Sequence, residues 1–248
     1  LPQDLEPLLK RTGIGGTVVV QARQMLEETE WLLKLAGENS FIMGVVGWVD
    51  LRSSGLAKQL EKYAPHPKMV GVRHVIHDEP DDDFMLREDF KRGIAQLERF
   101  NMTYDLLIFP KHLDRAAQLV RAYPNQRFVL DHLAKPPVKT GAIQAWKEEL
   151  EKLAVLPNVW CKLSGMVTEA DLMSWTQEDF IPYMSVILDA FGPDKVMLGS
   201  DWPVCTLGGS YQEVMDISLS YISNLSDTDQ EKIKYQNALA CYQLQTEN

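Results

Sequence analysis

Seven short runs rich in β-branched residues alternate with longer amphipathic runs, and this order is what most constrains the fold. The predicted strands are residues 17–22, 42–49, 70–76, 104–108, 127–132, 159–165 and 196–201. Between them, apolar residues recur three and four positions apart, as in Phe90, Ile94 and Leu97. This alternation is typical of βαβ units around a parallel sheet. No linker or low-complexity stretch interrupts it, so we expect one domain over residues 1–248.

Two architectures fit the alternation, an open doubly wound sheet and a (β/α)8 barrel. The open sheet would concentrate its polar residues at one switch point, whereas polar side chains follow nearly every predicted strand here. Gly13, Gly15 and Gly16 precede the first strand and do not form a GxGxxG phosphate turn. The sequence therefore predicts a (β/α)8 TIM barrel. With seven strands and a helix-like segment at residues 4–9, we expect the first barrel strand to be lacking in this chain.

Charge and cysteine content exclude several classes of protein. The 248 residues include 25 Lys and Arg against 35 Asp and Glu, a net charge of -10, which disfavours nucleic-acid and membrane partners. Three widely spaced cysteines argue against a disulfide framework and favour the cytoplasm. The N-terminus has no signal-peptide pattern. The chain begins with Leu1 and not with an initiator Met, which suggests that its natural start lies upstream. The sequence leaves open whether the protein forms a homo-oligomer.

Asp201 ends the last predicted strand, immediately before Trp202 and Pro203. Strand alternation puts residues 197, 199 and 201 on one face, so an outward Val/Leu face would turn Asp201 into the barrel mouth. A carboxylate at that place could act as a base. The alternative is that Asp201 caps the next helix.

His132 closes the predicted strand 127–132, and Lys135 follows it in a loop stiffened by prolines. A histidine there could polarise a carbonyl, protonate a leaving oxygen or bind a metal. The alternative is a structural histidine paired with Asp131 or with the backbone. Because neighbouring strand residues point to opposite faces, that pairing is awkward, and we predict a functional role for His132.

Two further predicted strands carry polar residues. Lys162 and Ser164 share one face of the strand 159–165, where Lys162 would either contact substrate or form a salt bridge in the barrel floor. Ser164 could donate a hydrogen bond but lacks the GxSxG elbow of a nucleophile. Arg73 and His74 are neighbours, so pleating predicts that one faces inward and the other is structural.

Six ordered segments carry a resemblance to a known family. They are GTVVVQA (16–22), GWVDL (47–51), VGVRH (70–74), DHLAKP (131–136), CKLSG (161–165) and GSDWPV (199–204). Through them the chain resembles the amidohydrolase-related (amidohydrolase 2) family of TIM-barrel hydrolases, in the branch with sugar lactonases such as L-fuconolactonase and L-rhamnonolactonase. The resemblance implies that Asp201 activates water and that His132 orients or polarises the carbonyl. The family's first strand ends in a His-x-His pair, which this chain lacks.

We therefore predict a cytoplasmic hydrolase of carbohydrate metabolism that opens a small-molecule sugar lactone, with Asp201 and His132 as catalytic residues. The predicted substrate-binding residues are Arg73, His74, Gln21, Trp48, Lys135, Lys162, Ser164 and Trp202. A lactone releases its alkoxide more readily than an amide releases an amine, so we expect no required cofactor and assign no metal ligand. A single zinc ion would be possible if an upstream His-x-His strand exists. Two alternatives stay open, a metal-dependent amidohydrolase or decarboxylase of the same fold and a catalytically inactive ligand-binding barrel.

Overall fold

Parallel strands hydrogen-bond to one another in sequence order in the computed structural model of this protein, which describes residues 1–245. Within those residues the strands are β1 (Thr17–Val20), β2 (Ile42–Gly47), β3 (Met69–Val75), β4 (Thr103–Leu107), β5 (Phe128–Leu130), β6 (Val159–Leu163) and β7 (Val196–Leu198). Every neighbouring pair is parallel. Such pairs need a crossover connection, and the helices supply it. This is the chain path of a β/α barrel, with seven strands in the described part.

The helices follow the strands in the alternation that the sequence predicts. They are α1 (Pro2–Thr12), α2 (Leu26–Glu38), α3 (Leu56–Tyr63), α4 (Glu88–Leu97), α5 (Leu113–Ala122), α6 (Ile143–Ala154), α7 (Ile181–Phe191), α8 (Tyr211–Ile222), α9 (Asp227–Glu231) and α10 (Asn237–Tyr242). A π-helical turn over Lys232–Gln236 joins α9 to α10, and short 3-10 turns lie at Ile76–Asp78, Asp131–Ala134, Val167–Glu169 and Val204–Leu207, among others. None of the helices in residues 1–245 is long and apolar enough to cross a bilayer.

The two faces of the sheet have different partners. Alternate strand residues such as Val45, Leu130 and Cys161 belong to the large core packed under the helices. Their neighbours Val46 and Val129 point to the other side, into a smaller apolar cluster with Met197, Cys241 and Tyr242. The inner face of the sheet is therefore covered partly by its own strands and partly by α10.

Helix α10 lies at the amino-terminal edge of the sheet. The side-chain amide of Asn237 donates hydrogen bonds to the carbonyls of Pro193 and Val196, at the start of β7, both at 2.7 Å. From this position Tyr242 reaches into the interior, where it is 3% exposed. The carboxyl-terminal edge, where a β/α barrel carries its chemistry, is on the opposite side.

All seven strands end earlier than the sequence predicts. The expectation that His132 and Asp201 are strand residues is wrong, because β5 ends at Leu130 and β7 at Leu198. Both residues have positive φ, 51° for His132 and 57° for Asp201, which is incompatible with a strand. They lie instead in turns directly after the strands.

Candidate active site

A left-handed turn follows β5. His132, Leu133, Ala134 and Lys135 have φ of 51°, 55°, 57° and 53°. Each non-glycine residue in this region costs about 1–2 kcal/mol, so the surrounding structure must hold the turn. The indole of Trp146 on α6 donates a hydrogen bond to the Leu133 carbonyl at 2.8 Å, and the Lys135 amide donates to the His132 carbonyl at 2.7 Å. The turn aims side chains along the carboxyl-terminal edge of the sheet.

The imidazole of His132 is held between two polar groups. Its Nδ1 lies 2.8 Å from Ser164 Oγ, and its Nε2 lies 3.4 Å from Asp201 Oδ1. A carboxylate only accepts hydrogen bonds, so in the neutral ring Nε2 carries the proton and the Ser164 hydroxyl donates to Nδ1. Gly165 makes room for the ring, since a Cβ at that position would lie 2.7 Å from His132 Cγ. The ring is thus fixed in both orientation and tautomer.

Electrostatics keep this histidine neutral. Burial lowers the pKa of His132, and the nearby Asp201 carboxylate only partly opposes that shift. The side chain of Asp201 is 15% exposed, so it is partly accessible to solvent. The alternative that Asp201 caps the next helix is not what the structure has, because Ser210 caps α8 with its hydroxyl accepting from the Glu213 amide at 3.3 Å.

Beneath the pair lies a buried network of charges. Arg73 Nη1 is 2.8 Å from Asp131 Oδ2, and Arg73 Nε donates to Gln21 Oε1 at 3.0 Å. Lys162 Nζ lies 2.6 Å from both Asp131 Oδ1 and Asp105 Oδ2. These residues come from β3, β4 and β6 and from the segments after β1 and β5, so the network joins strands that are not neighbours in the sheet.

The cations of this network affect the pKa of its carboxyl groups. Burial alone would raise the pKa of Asp131, but Lys162 and Arg73 hold that pKa well below its ordinary range. Burial opposes the charge of Lys162, yet Asp105 and Asp131 raise the pKa of its ammonium. Burial raises the pKa of Asp105, to which the Tyr242 hydroxyl donates a hydrogen bond at 2.8 Å. Lys162 therefore forms the salt bridge that was one of its two predicted roles, and its contact with substrate stays a prediction.

Arg73 and His74 lie on opposite faces of β3, as pleating predicts. Arg73 points inward to the network, whereas His74 stacks on Phe84 outside the sheet, with 4.9 Å between ring centroids. His74 Nε2 lies 2.6 Å from Glu79 Oε1, and the half-buried Trp48 donates from its indole to His74 Nδ1 at 3.4 Å. The structure thus does not bring His74 together with the inward residues.

The remaining predicted residues lie at the rim or away from it. Lys135 Nζ forms an ion pair with Glu169 Oε1 at 2.6 Å, between the segments after β5 and β6. Trp202 packs beside Leu9 and Tyr211, in a cluster between α1 and α8. Gln21 is fully buried under Arg73, where it orients the guanidinium.

Four residues of this arrangement were missed as site residues, namely Asp105, Asp131, Glu169 and Tyr242. Asp105 carried a readable signal, because a single acid inside the apolar run of β4 must find a buried partner. Asp131 was considered only as a neighbour of His132. Glu169 and Tyr242 lie far from their partners in sequence and carried no signal in their own segments.

The described residues do not by themselves complete a metal site. Within residues 1–245, no group of three or more His, Cys, Asp or Glu is placed to hold an ion. His132 and Asp201 offer two donors, whereas catalytic zinc takes three protein ligands and structural zinc takes four.

Comparison with known proteins decides the family. The sequence profile of the family described as Amidohydrolase matches residues 1–244. The chain belongs to the amidohydrolase family. This amidohydrolase is 41% identical to an L-fucono-1,5-lactonase of Burkholderia ambifaria over 85% of this chain and 72% of the relative. It is 37% identical to the L-fucono-1,5-lactonase of Burkholderia multivorans over 98% of this chain and 86% of the relative.

A solved structure adds the fold and a correction. The crystal structure of an amidohydrolase from Burkholderia multivorans with bound zinc superposes with a TM-score of 0.95, at 38% identity, over 99% of this chain and 89% of that one. The predicted TIM-barrel fold and the predicted amidohydrolase resemblance are thereby confirmed. The prediction that no cofactor is required is wrong as stated, because this similar protein was crystallised with zinc.

Proposed function

We propose that this amidohydrolase opens a sugar lactone by hydrolysis, with Asp201 as the base and His132 as the hydrogen-bond donor to the carbonyl. One observation carries the assignment. His132 Nε2 and Asp201 Oδ1 lie 3.4 Å apart at the carboxyl-terminal edge of the sheet, so one reacting group can contact both. The L-fucono-1,5-lactonases at 41% and 37% identity support the substrate class.

The reaction follows from the protonation states. Asp201 takes a proton from water as the water oxygen attacks the lactone carbonyl carbon. Neutral His132 donates from Nε2 to the carbonyl oxygen as negative charge develops on it, while Ser164 holds the ring through Nδ1. The bond between the carbonyl carbon and the ring oxygen then breaks. The protonated Asp201 returns its proton to that ring oxygen, and the product is an aldonic acid, which ionises.

Sugar hydroxyls both donate and accept hydrogen bonds, and the rim offers a matching pair. The ammonium of Lys135 donates and the carboxylate of Glu169 accepts, 2.6 Å apart and both mostly buried. We assign this pair to a substrate hydroxyl. Contacts of the other predicted residues with substrate stay predictions, as do a single domain over residues 1–248, a role in carbohydrate metabolism and a cytoplasmic location, which the three free cysteines favour.

The test is a pH-indicator assay with a panel of six-carbon and 6-deoxy aldonolactones, because hydrolysis of each lactone releases one proton. We expect turnover above the spontaneous rate for at least one member of the panel. A folded protein that accelerates none of them would contradict the proposal and favour a binding role.

A second candidate is metal-assisted hydrolysis, which the zinc-bound relative favours. His132 and Asp201 are the donors that the described residues would contribute. The same assay tests the role of zinc when it is run on protein treated with a chelator and then reloaded with zinc. Activity lost on chelation and restored by zinc would establish the metal-assisted reaction.

A further inference from the structure

Three cations near the candidate site, on Arg73, Lys135 and Lys162, are each paired with a carboxylate of the same chain. Arg73 lies 2.8 Å from Asp131, Lys162 lies 2.6 Å from Asp105 and from Asp131, and Lys135 lies 2.6 Å from Glu169. We call Arg73, Lys135 and Lys162 the paired cations. Since each ammonium or guanidinium already has its counter-charge, none of the paired cations offers a full positive charge to a ligand.

The rest of the site adds negative charge. Both ring nitrogens of His132 already have partners, Nδ1 with Ser164 Oγ at 2.8 Å and Nε2 with Asp201 Oδ1 at 3.4 Å. Asp201 needs its carboxylate form to act as a base. Asp201 would therefore repel a carboxylate on a ligand, and none of the paired cations is free to offset that repulsion.

The three pairings differ in how far a ligand could reach them. Asp105 and Asp131 are fully buried, so their ion pairs with Lys162 and Arg73 are part of the interior. The side chains of Lys135 and Glu169 are 17% and 20% exposed, and they follow the carboxyl-terminal ends of β5 and β6. Lys135 also lies in the same left-handed turn as His132. Its ammonium is thus the paired cation closest to solvent.

We propose that Glu169 is a specificity-determining residue, which neutralises Lys135 and so restricts the site to uncharged lactones. The inference rests on the proposed function and adds to it the residue that rejects anionic substrates. It also bears on product release, because hydrolysis turns a neutral lactone into an anion, and Glu169 already neutralises the ammonium of Lys135. The Thr168 hydroxyl, 3.3 Å from Glu169 Oε1, helps to hold the carboxylate on Lys135.

The experiment compares Glu169→Gln with the wild type on matched ligands. One pair is a hexonolactone and the corresponding hexarate monolactone, which carries a free carboxylate. The other pair is an aldonate and the matching alditol, whose binding is measured by calorimetry without turnover. Glu149→Gln is the control, because Glu149 forms a Lys–Glu pair of the same 2.6 Å length with Lys152 on the exposed face of α6.

We expect Glu169→Gln to raise the kcat/KM ratio of hexarate lactone to hexonolactone about tenfold and to bind the aldonate about tenfold tighter, since a freed ammonium gains a charge-assisted hydrogen bond. The uncharged alditol should show no such gain in affinity, and the Glu149→Gln control should leave both readouts as in the wild type. The double variant Glu169→Gln/Lys135→Met should lose both gains, because the lysine that causes them is gone.

A Glu169→Gln variant with wild-type ratios on both ligand pairs would overturn the proposal, as would gains that persist without Lys135. The two readouts separate this inference from the proposed function. If the wild type opened no lactone while Glu169→Gln still bound the aldonate tighter, the lactonase assignment would fail and the role of Glu169 in excluding anions would stand.

Discussion

Asp201 and His132 meet only because both leave their strands in the left-handed region of backbone conformation. With φ of 57° and 51°, their side chains depart from the strict alternation that a strand would impose. Their Oδ1 and Nε2 atoms then come within 3.4 Å across the segments after β7 and β5. A local backbone cost at two residues is what brings the proposed catalytic pair together.

Replacing Asp201 with Asn tests the base directly. Asparagine tolerates the left-handed region well, so the backbone of Asp201→Asn should keep its φ of 57°. The amide cannot take the proton from water, so kcat should fall at least about 100-fold with an unchanged circular dichroism spectrum. The pH-indicator assay measures the rate, and Asp216→Asn is the control, because the half-buried Asp216 lies on α8 and its Oδ1 accepts a hydrogen bond from Gln212. Retention of wild-type turnover would reject Asp201 as the base.

Gly165 allows a second test, because a matched glycine exists elsewhere. Gly165 and Gly141 have φ of 65° and 67°, but only at Gly165 would a Cβ meet the His132 ring, at 2.7 Å. Gly141→Ala should therefore lower stability by about 1 kcal/mol without changing kcat. Gly165→Ala should add a fall in kcat of about 10-fold to 100-fold, because the ring moves. Urea unfolding and kcat measure the two effects, and equal kcat in both variants would contradict the reason given.

At the residue scale, the sequence indicated that Asp201 and His132 could face one interior, but it did not indicate the contacts around them. Strand alternation alone indicated that Asp201, His132 and Lys162 could face one interior. It did not predict the contacts of Lys162 with Asp105 and Asp131. These contacts depend on the curvature of the sheet, which accumulates over several strands and cannot be read from the sequence of a single strand.

The left-handed turn over residues 132–135 is the element that the sequence pattern could not anticipate. A run of four non-glycine residues at positive φ is rare, and residue types alone predicted a strand that continues to His132. The pattern did predict all seven strands and the helix ahead of β1, because burial sets their alternation. The pattern placed the strand ends wrongly, because hydrogen bonds to groups distant in the sequence replace the hydrogen bonds between strands at these positions.

Trp146 connects this turn to α6. Replacing its indole with a phenyl ring keeps an aromatic side chain in the core. Trp146→Phe loses the hydrogen bond to the buried Leu133 carbonyl, so the free energy of unfolding should fall by about 1–3 kcal/mol. Because the same turn carries His132, kcat should fall as well. The control is Trp31→Phe on α2, where the side chain is 46% exposed and stability should change by less than about 0.5 kcal/mol. A stable Trp146→Phe enzyme with full kcat would show that other contacts hold the turn.

Across the whole molecule, the five histidines share one property. Burial lowers the pKa of every one of them, at His66, His74, His77, His112 and His132. In the unfolded chain these groups take up protons near a pKa of about 6.5. Between that value and their lower folded values, the unfolded state binds more protons than the folded state, which makes stability depend on pH in one direction.

The free energy of unfolding should therefore fall as the pH decreases from 7.5 to 5.5. Urea titrations at intervals across this range measure it. The pKa of the buried Asp131 is lowered, so the stability that its ionisation contributes is lost only as the pH falls through the ordinary aspartate value of about 4. Asp131 therefore does not change the free energy of unfolding between pH 7.5 and 5.5. A free energy of unfolding that rises towards pH 5.5 would contradict the histidine account.

The hydrogen bond from Tyr242 to Asp105 has a consequence for the order in which the chain assembles. The two residues are 137 positions apart, and α10 is the last helix in the described part of the chain. A ribosome releases every strand of the sheet before it releases α10, so the nascent barrel holds Asp105 for a time without its tyrosine donor. Asp105 gains its tyrosine partner only after α10 has been synthesised, so α10 completes the hydrogen bonding of the buried network beneath the candidate site.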